Sequence, residues 1–364
     1  MKTKKRCAFV AITINGAKNA LALNKSFEGT TFIPEKFRKK INIKESNISF
    51  FKTTSKELIK EIFNQYEQIV WFGALGVLVR FIGPLLQDKK TDPAVISIDE
   101  QGTFVISVVS GHLGGANKLS EEIAEKISAT PVITTASDVS HTIAVDLLGS
   151  EFNWKCEKYE NITKVSASVV NGEKVAIIQT TGERNWWKYK EKLPSNLLVL
   201  KSFDGVNINH YDAFLFITDE ENNISKDLHN KIVMYRPKSL IVGIGCNRNT
   251  PLNEIEDAIF QTLKKNNLSF HSVRNLATID KKRNEKAFIQ FSEKYNLPFR
   301  YFTPQELNSI KIPNPSEYSL KYVKAQGVAE PAALLSAKTA TLLQEKVKFT
   351  NVTIAIARIE FENN

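Results

Sequence analysis

Hydrophobic positions in this chain come in short runs, and the runs switch between two spacings. "QIVWFGALGVLVRFIGPLLQD" opens with continuous apolar residues, turns at Gly73 and Gly76, and continues with the three-to-four spacing of an amphipathic helix. "AVISIDEQGTFVISVVS" is two apolar runs split by a glycine turn, and "GGANKLSEEIAEKISATPVITTASD" is a helix followed by a buried strand. Strands alternating with helices predict an α/β layered domain with an open sheet over residues 1–138.

The pattern changes between residues 139 and 237. Short β-like runs, "KVAIIQT", "NLLVL" and "AFLFIT", are separated by turn-rich pieces, which predicts a smaller middle α/β domain. Trp186 and Trp187 lie within it and read as core or interface packing. Residues 238–364 return to the first logic. "KSLIVGIGC" is a strand entering a glycine turn, Thr250-Pro251 opens a helix with proline at its first position, and Thr303 and Glu306 have capping-box spacing. "NVTIAIARIEF" is a terminal strand. The fold class expected is therefore multi-domain α/β, with N- and C-terminal layered domains around a smaller one.

Composition narrows the class without naming a function. Hydrophobic residues at 42% and charged residues at 24% suit a packed globular chain of 364 residues. The net charge of +10 suits an anionic partner, but Lys and Arg alternate with Glu and Asp instead of forming a stripe interleaved with aromatics. That disfavours nucleic acid. Cys7, Cys156 and Cys246 have no C-x-x-C spacing, which fits a reducing cytoplasm and argues against a zinc site or a disulfide framework. The N-terminal "KKRCAFVAITING" reads as a first strand and turn rather than a leader, and Arg80, Pro84 and three glycines exclude a membrane span from the longest apolar stretch.

The chemistry concentrates at strand ends. "SGHLGGANKL" sets His112 among glycines where a strand meets a helix N-terminus, a place where backbone amides and the helix dipole favour anions. His112 there serves as an anion donor, an acid or base, or a turn cap. Arg80 sits on an apolar helix face beyond the Gly73/Gly76 turn, and a half-buried arginine requires a partner: a ligand carboxylate, or Asp92 or Asp138 within the chain. "GIGCNRNTP" is not a dinucleotide fingerprint, because Arg248 stands where the third glycine belongs, but Arg248 near a helix start also suits an anion. Cys246 beside it reads as a small buried hydrophobe. "TTASD" places Thr135 and Asp138 at a strand end, "ATID" repeats the arrangement, and Glu330 precedes a small-residue helix that its charge would cap.

Taken in order, "GALGVLVRFIGPLLQDKKTDPAV", "SGHLGGAN", "VITTASD", "VGIGCNRNTP", "LATIDKKRNE" and "GVAEPAAL" make the chain resemble the cobalamin-biosynthesis protein G family, the cobalt-precorrin-5A hydrolases. Two departures stand out: Asn247-Arg248-Asn249 replaces the family's usual arginine pair, and Pro331 occupies a position more often held by a small helix former. The resemblance implies a cobalt-containing tetrapyrrole bearing several carboxylates. The reaction implied is opening of the ring A acetate lactone, with the bridging carbon leaving as acetaldehyde. That chemistry needs an acid/base and oxyanion donors, for which His112 is expected as acid/base, Asp138 as the group orienting it or the water, and Asn117, Gly114 and Gly115 as donors. Arg80, Arg248, Gly73, Gly76, Thr135 and Glu330 would contact the substrate. No cofactor beyond the substrate's own cobalt is implied, nor any nucleic-acid or membrane partner; transient contact with neighbouring pathway enzymes fits, and oligomeric state is left open. A non-catalytic tetrapyrrole carrier would use the same anchors.

Overall fold

The computed structural model describes residues 5–41, 47–221 and 228–361. The chain forms two compact units, Met1–Leu147 and Leu148–Asn364.

The first unit is built on seven strands: β1 (Lys5–Ala11), β2 (Gly29–Pro34), β3 (Ile48–Phe51), β4 (Tyr66–Phe72), β5 (Ala94–Ile98), β6 (Phe104–Val109) and β7 (Thr130–Val132). They lie in the order β3-β2-β1-β4-β5-β6-β7. Both faces are apolar because strand residues alternate sides. Phe9, Val70, Phe72 and Ile96 pack with helices Ile14–Asn24 and Ala116–Ile127, while Val10, Ile69, Trp71 and Val95 pack with helices Ser55–Ile62 and Leu75–Ile82. Strands β1 to β5 are mutually parallel, but β5 and β6 form an antiparallel pair and β7 follows β6. This reversal decides which loops can share a site. β7 also departs from expectation: it is a mostly exposed edge strand, because no strand lies beyond it.

The second unit holds two five-stranded sheets. β8 (Lys155–Glu157), β9 (Val175–Gln179), β10 (Leu197–Leu200), β11 (Ala213–Ile217) and β12 (Ile232–Arg236) order as β10-β9-β11-β12-β8. β13 (Leu240–Cys246), β14 (Val273–Ile279), β15 (Phe299–Phe302), β16 (Gln344–Lys348) and β17 (Val352–Arg358) order as β15-β14-β13-β17-β16. The last strand, β17, is thus an inner one, antiparallel to both neighbours. Of the tryptophan pair, Trp186 is buried and donates to Gln179, while Trp187 is half-buried.

Asp219 ties the two sheets of this unit together. It is fully buried and accepts Arg358 Nε at 2.9 Å and Nη2 at 2.7 Å, with Ser239 Oγ as a third donor. A buried carboxylate is tolerable only when its lone pairs are used, and three donors use them.

Glycine matters structurally at Gly243, where a Cβ would collide with the carbonyl of Ala329. The small-residue helix Ala329–Ala337 lies against β13 for that reason and is buried nearly all round. Pro331 occupies its first turn, where no helical N–H is required. The capping box at Thr303 and Glu306 forms with Pro304 at the first helical position. Pro251 is different: the helix runs Leu252–Lys265 and the proline is the residue before it, with extended backbone.

Candidate functional site

The loop between β6 and helix Ala116–Ile127 presents His112 between two carboxylates. Nδ1 lies 2.9 Å from Asp146 Oδ1 and Nε2 lies 2.9 Å from Asp138 Oδ2, with Ser137 Oγ 3.3 Å from the same Nε2. Asn117 holds Asp138 from the other side, donating through Nδ2 to Asp138 Oδ2 at 2.8 Å and to Thr135 Oγ1 at 2.9 Å, while its Oδ1 accepts Ser107 Oγ at 2.7 Å.

Two of the glycines are required by the loop itself. A Cβ on Gly111 would sit 2.6 Å from Asn117 Oδ1, and one on Gly114 would run into Ser110. Gly115 has φ 83°, the left-handed region where glycine carries no steric cost. The amides expected to cradle an anion are largely spent. Gly115 N–H donates to His112 O, Ala116 N–H to Ser110 O and Asn117 N–H to Gly111 O. The Gly115 and Asn117 N–H groups therefore hold the loop in shape, whereas the Gly114 N–H has no partner among the described residues.

Charge sets the chemistry of the cluster. The His112 imidazole is pushed up to about 9, chiefly by its bond to Asp138 and then by Asp146, against the opposing effect of burial. Asp138 is held below the usual carboxylate range, first by His112. At neutral pH His112 is therefore an imidazolium, held between the side chains of Asp138 and Asp146. His112 is 13% and Asp146 11% exposed, whereas Asp138 is 34% exposed and both of its bonds fall on Oδ2. Among the described residues, Oδ1 of Asp138 has no protein partner and is the group open to a ligand.

His112, Asp138, Asn117, Thr135, Gly114 and Gly115 are thus brought together, but Gly73 and Gly76 are not. Gly73 follows Phe72, which pairs with Ile98, whereas His112 follows Val109, which pairs with Val95. The two turns leave opposite ends of the sheet, about 10 Å apart along β5. Strand-end logic failed here because β6 runs antiparallel. Arg80 is exposed, not half-buried, and its Nη1 donates to Gly76 O of its own helix at 3.2 Å. Among the described residues it pairs with neither Asp92 nor Asp138, nor any other carboxylate.

Arg248 and Glu330 belong to the second unit. Arg248 is exposed. Glu330 is 1% exposed and accepts Asn314 Nδ2 at 2.8 Å, Asn314 N–H at 3.2 Å and Lys346 N–H at 3.0 Å. It makes no capping bond to its own helix and instead ties two neighbouring segments to it. Cys246 is half-buried rather than buried, and the burial that it has raises its thiol pKa.

Asp146, Ser137 and Ser107 were not singled out in the sequence. Asp146 carried a legible signal, a lone acid in "TIAVDLLG", where an apolar run has no use for a carboxylate unless it is paired.

Fold and site together define a mixed α/β protein with a charged acid–base cluster at strand ends. No helix among the described residues is long and apolar enough to cross a membrane. The chain belongs to the cobalamin synthesis G family, with the N-terminal model matching residues 57–138, the central region 143–237 and the C-terminus 240–357. It is 44% identical to the cobalt-precorrin-5A hydrolase of Priestia megaterium over 98% of this chain and 95% of that one. It is 30% identical to the cobalt-precorrin-5A hydrolase of Salmonella typhimurium over 96% of each. A solved structure of a cobalamin biosynthesis protein G homologue from Sulfolobus solfataricus aligns over 97% of each chain at 22% identity, with a TM-score of 0.38.

Proposed function

We propose that this protein is a cobalt-precorrin-5A hydrolase whose chemistry is carried by the His112 cluster. The likeness to two hydrolases of that name over nearly the whole chain supports the reaction. The observation that carries the site is the charged His112 clamped between Asp138 and Asp146, with one oxygen of Asp138 left open.

The protonation state assigns the roles. An imidazolium cannot take a proton from water, so His112 is the acid and the fixed positive charge of the site rather than its base. Asp138 Oδ1 accepts the proton of the attacking water, and Asn117 keeps that carboxylate in place. Water adds to the lactone carbonyl, its oxygen remains in the freed acetate, and the departing carbinol oxygen takes a proton relayed from His112. The imidazole left neutral by that transfer takes the carbinol proton back, and the bond between the bridging carbon and the ring breaks, releasing acetaldehyde while the electron pair passes into the macrocycle. The substrate's cobalt and conjugated ring receive that pair, so the reaction needs no separate cofactor. Ser137 shares the Nε2 proton with Asp138. Arg80 and Arg248 are exposed cations suited to substrate carboxylates. We place the reaction in the cytoplasm, with the substrate passing between neighbouring pathway enzymes.

The test is acetaldehyde release from anaerobically prepared cobalt-precorrin-5A, run beside Asp138→Asn and His112→Ala variants whose folding is verified by circular dichroism. Release by wild type and a fall of about 100-fold or more in both variants is expected. Tight binding of the substrate with no release would instead make the protein a carrier.

A further inference from the structure

The second unit contains a cavity of about 340 Å³ that the His112 chemistry does not use. Its floor is the C-terminal end of β13 at Gly245 and Cys246, with Asn247 after it, and the hairpin between β16 and β17. Side-chain space is excluded at the floor, since a Cβ on Gly245 would lie 2.7 Å from Thr353 Oγ1. The remaining walls carry Lys282, Lys346 and Lys348, with Tyr318 and Tyr322 from the helix Glu317–Val323.

Those two tyrosines have no structural explanation within the unit. They are 65% and 60% exposed, and their rings stand 4.4 Å apart, one turn apart on the helix. Two adjacent apolar rings in water at a cavity mouth are a stacking platform awaiting a flat partner. The charges around them lean basic without being one-sided. Glu330 in the wall accepts from Asn314 and the Lys346 amide and acts electrostatically on the Lys346 ammonium, Glu345 accepts from Asn314, and Lys282 is paired with Glu285 at 2.9 Å. Lys346 donates to the Asn314 carbonyl, which offsets none of its charge, and Lys348 is exposed. Lys321 adds a further cation, 5.7 Å from the Tyr322 ring centroid, and Arg248 follows the lining residue Asn247.

We infer that this cavity is a binding site for one edge of a planar, conjugated polycarboxylate ring, with carboxylate arms inserted toward Lys346 and Lys348 and the ring face lying over Tyr318 and Tyr322. The volume is too small to enclose a macrocycle, which is why the exposed tyrosine platform is needed outside it. Identifying that ligand with the substrate rests on the hydrolase reading; the ligand class rests on the walls alone.

The experiment is an absorbance titration of the full-length protein with uroporphyrin, a metal-free octacarboxylate porphyrin. Wild type should give a saturable shift. Tyr318→Ala/Tyr322→Ala should weaken binding about tenfold or more and Lys348→Glu several-fold, whereas Lys265→Glu, the same charge change on an exposed helix end, should bind as wild type. The tyrosines are exposed, so their loss should leave the far-ultraviolet spectrum unchanged. With cobalt-precorrin-5A, the tyrosine variant should raise KM and leave kcat intact. The inference is overturned by no saturable shift, by unchanged binding in the tyrosine variant, or by Lys265→Glu weakening binding as much as Lys348→Glu. Tyrosine-dependent binding without any acetaldehyde release would sink the hydrolase reading and keep this site; release with tyrosine-independent binding would do the reverse.

Discussion

His112 Nδ1 and Asp146 Oδ1 lie 2.9 Å apart, and this contact adds to the larger effect of Asp138 in raising the imidazole pKa to about 9. With Asp138 alone, one ring nitrogen would be free to release its proton to water. With a carboxylate on each nitrogen, both N–H groups are stabilised and the charge persists through the physiological range.

Asp146→Asn should therefore lower the His112 pKa from about 9 toward its ordinary value of 6.5. The imidazole titration followed by NMR would register the fall directly. Activity should lose its alkaline limb at a lower pH in the same variant. An unchanged His112 titration would show that Asp146 contributes nothing to the charge.

The wild-type pH profile should be bell-shaped, active while Asp138 is ionised and His112 is charged. The alkaline limb belongs near pH 9, and the acid limb lies below the usual carboxylate range because His112 depresses Asp138. Stability follows the same sign. His112 has a raised folded-state pKa, so its contribution is complete below about 6.5 and is lost as pH rises through about 9. Urea denaturation at pH 6 and pH 10, compared between wild type and His112→Ala, would detect the difference.

Gly114→Ala should cost activity out of proportion to stability. Its Cβ would overlap Ser110, and the backbone that carries His112 must shift to admit it. Acetaldehyde release should fall at least about tenfold, because a displacement near 1 Å at a reacting group is enough for such a loss. The same melting temperature with wild-type turnover would remove the loop from the site.

Asp219→Asn acts within the second unit. It withdraws the negative charge that receives both Arg358 nitrogens, and since Arg358 is part-exposed and keeps Glu220 at 3.4 Å, the loss of these charge-assisted bonds costs about 1–3 kcal/mol. A drop in the urea midpoint of the second unit would show it. Wild-type stability would mean that Ser239 and Arg358 find other acceptors.

Much of this molecule follows from local pattern. Runs such as "IVWF" and "AFLFI" read as buried strands because they are short, rich in β-branched and aromatic residues and bounded by turn signals, and helix starts such as Thr303 with Glu306 are decided within four residues. His112, Asp138 and Asn117 were visible for the same reason: polar side chains beside a strand-to-helix junction have few roles. What local pattern cannot encode is strand direction and pairing. The antiparallel turn of β6 sent His112 to one end of the sheet and Gly73 to the other, and only the folded chain places Asp146 on the second nitrogen of His112. Asp219 and Arg358 are 139 residues apart, and nothing in either neighbourhood names the other. Sequence determines which residues must leave water; tertiary structure decides which charges they find when they do, because a buried charge is stabilised only by partners brought to it from elsewhere in the chain.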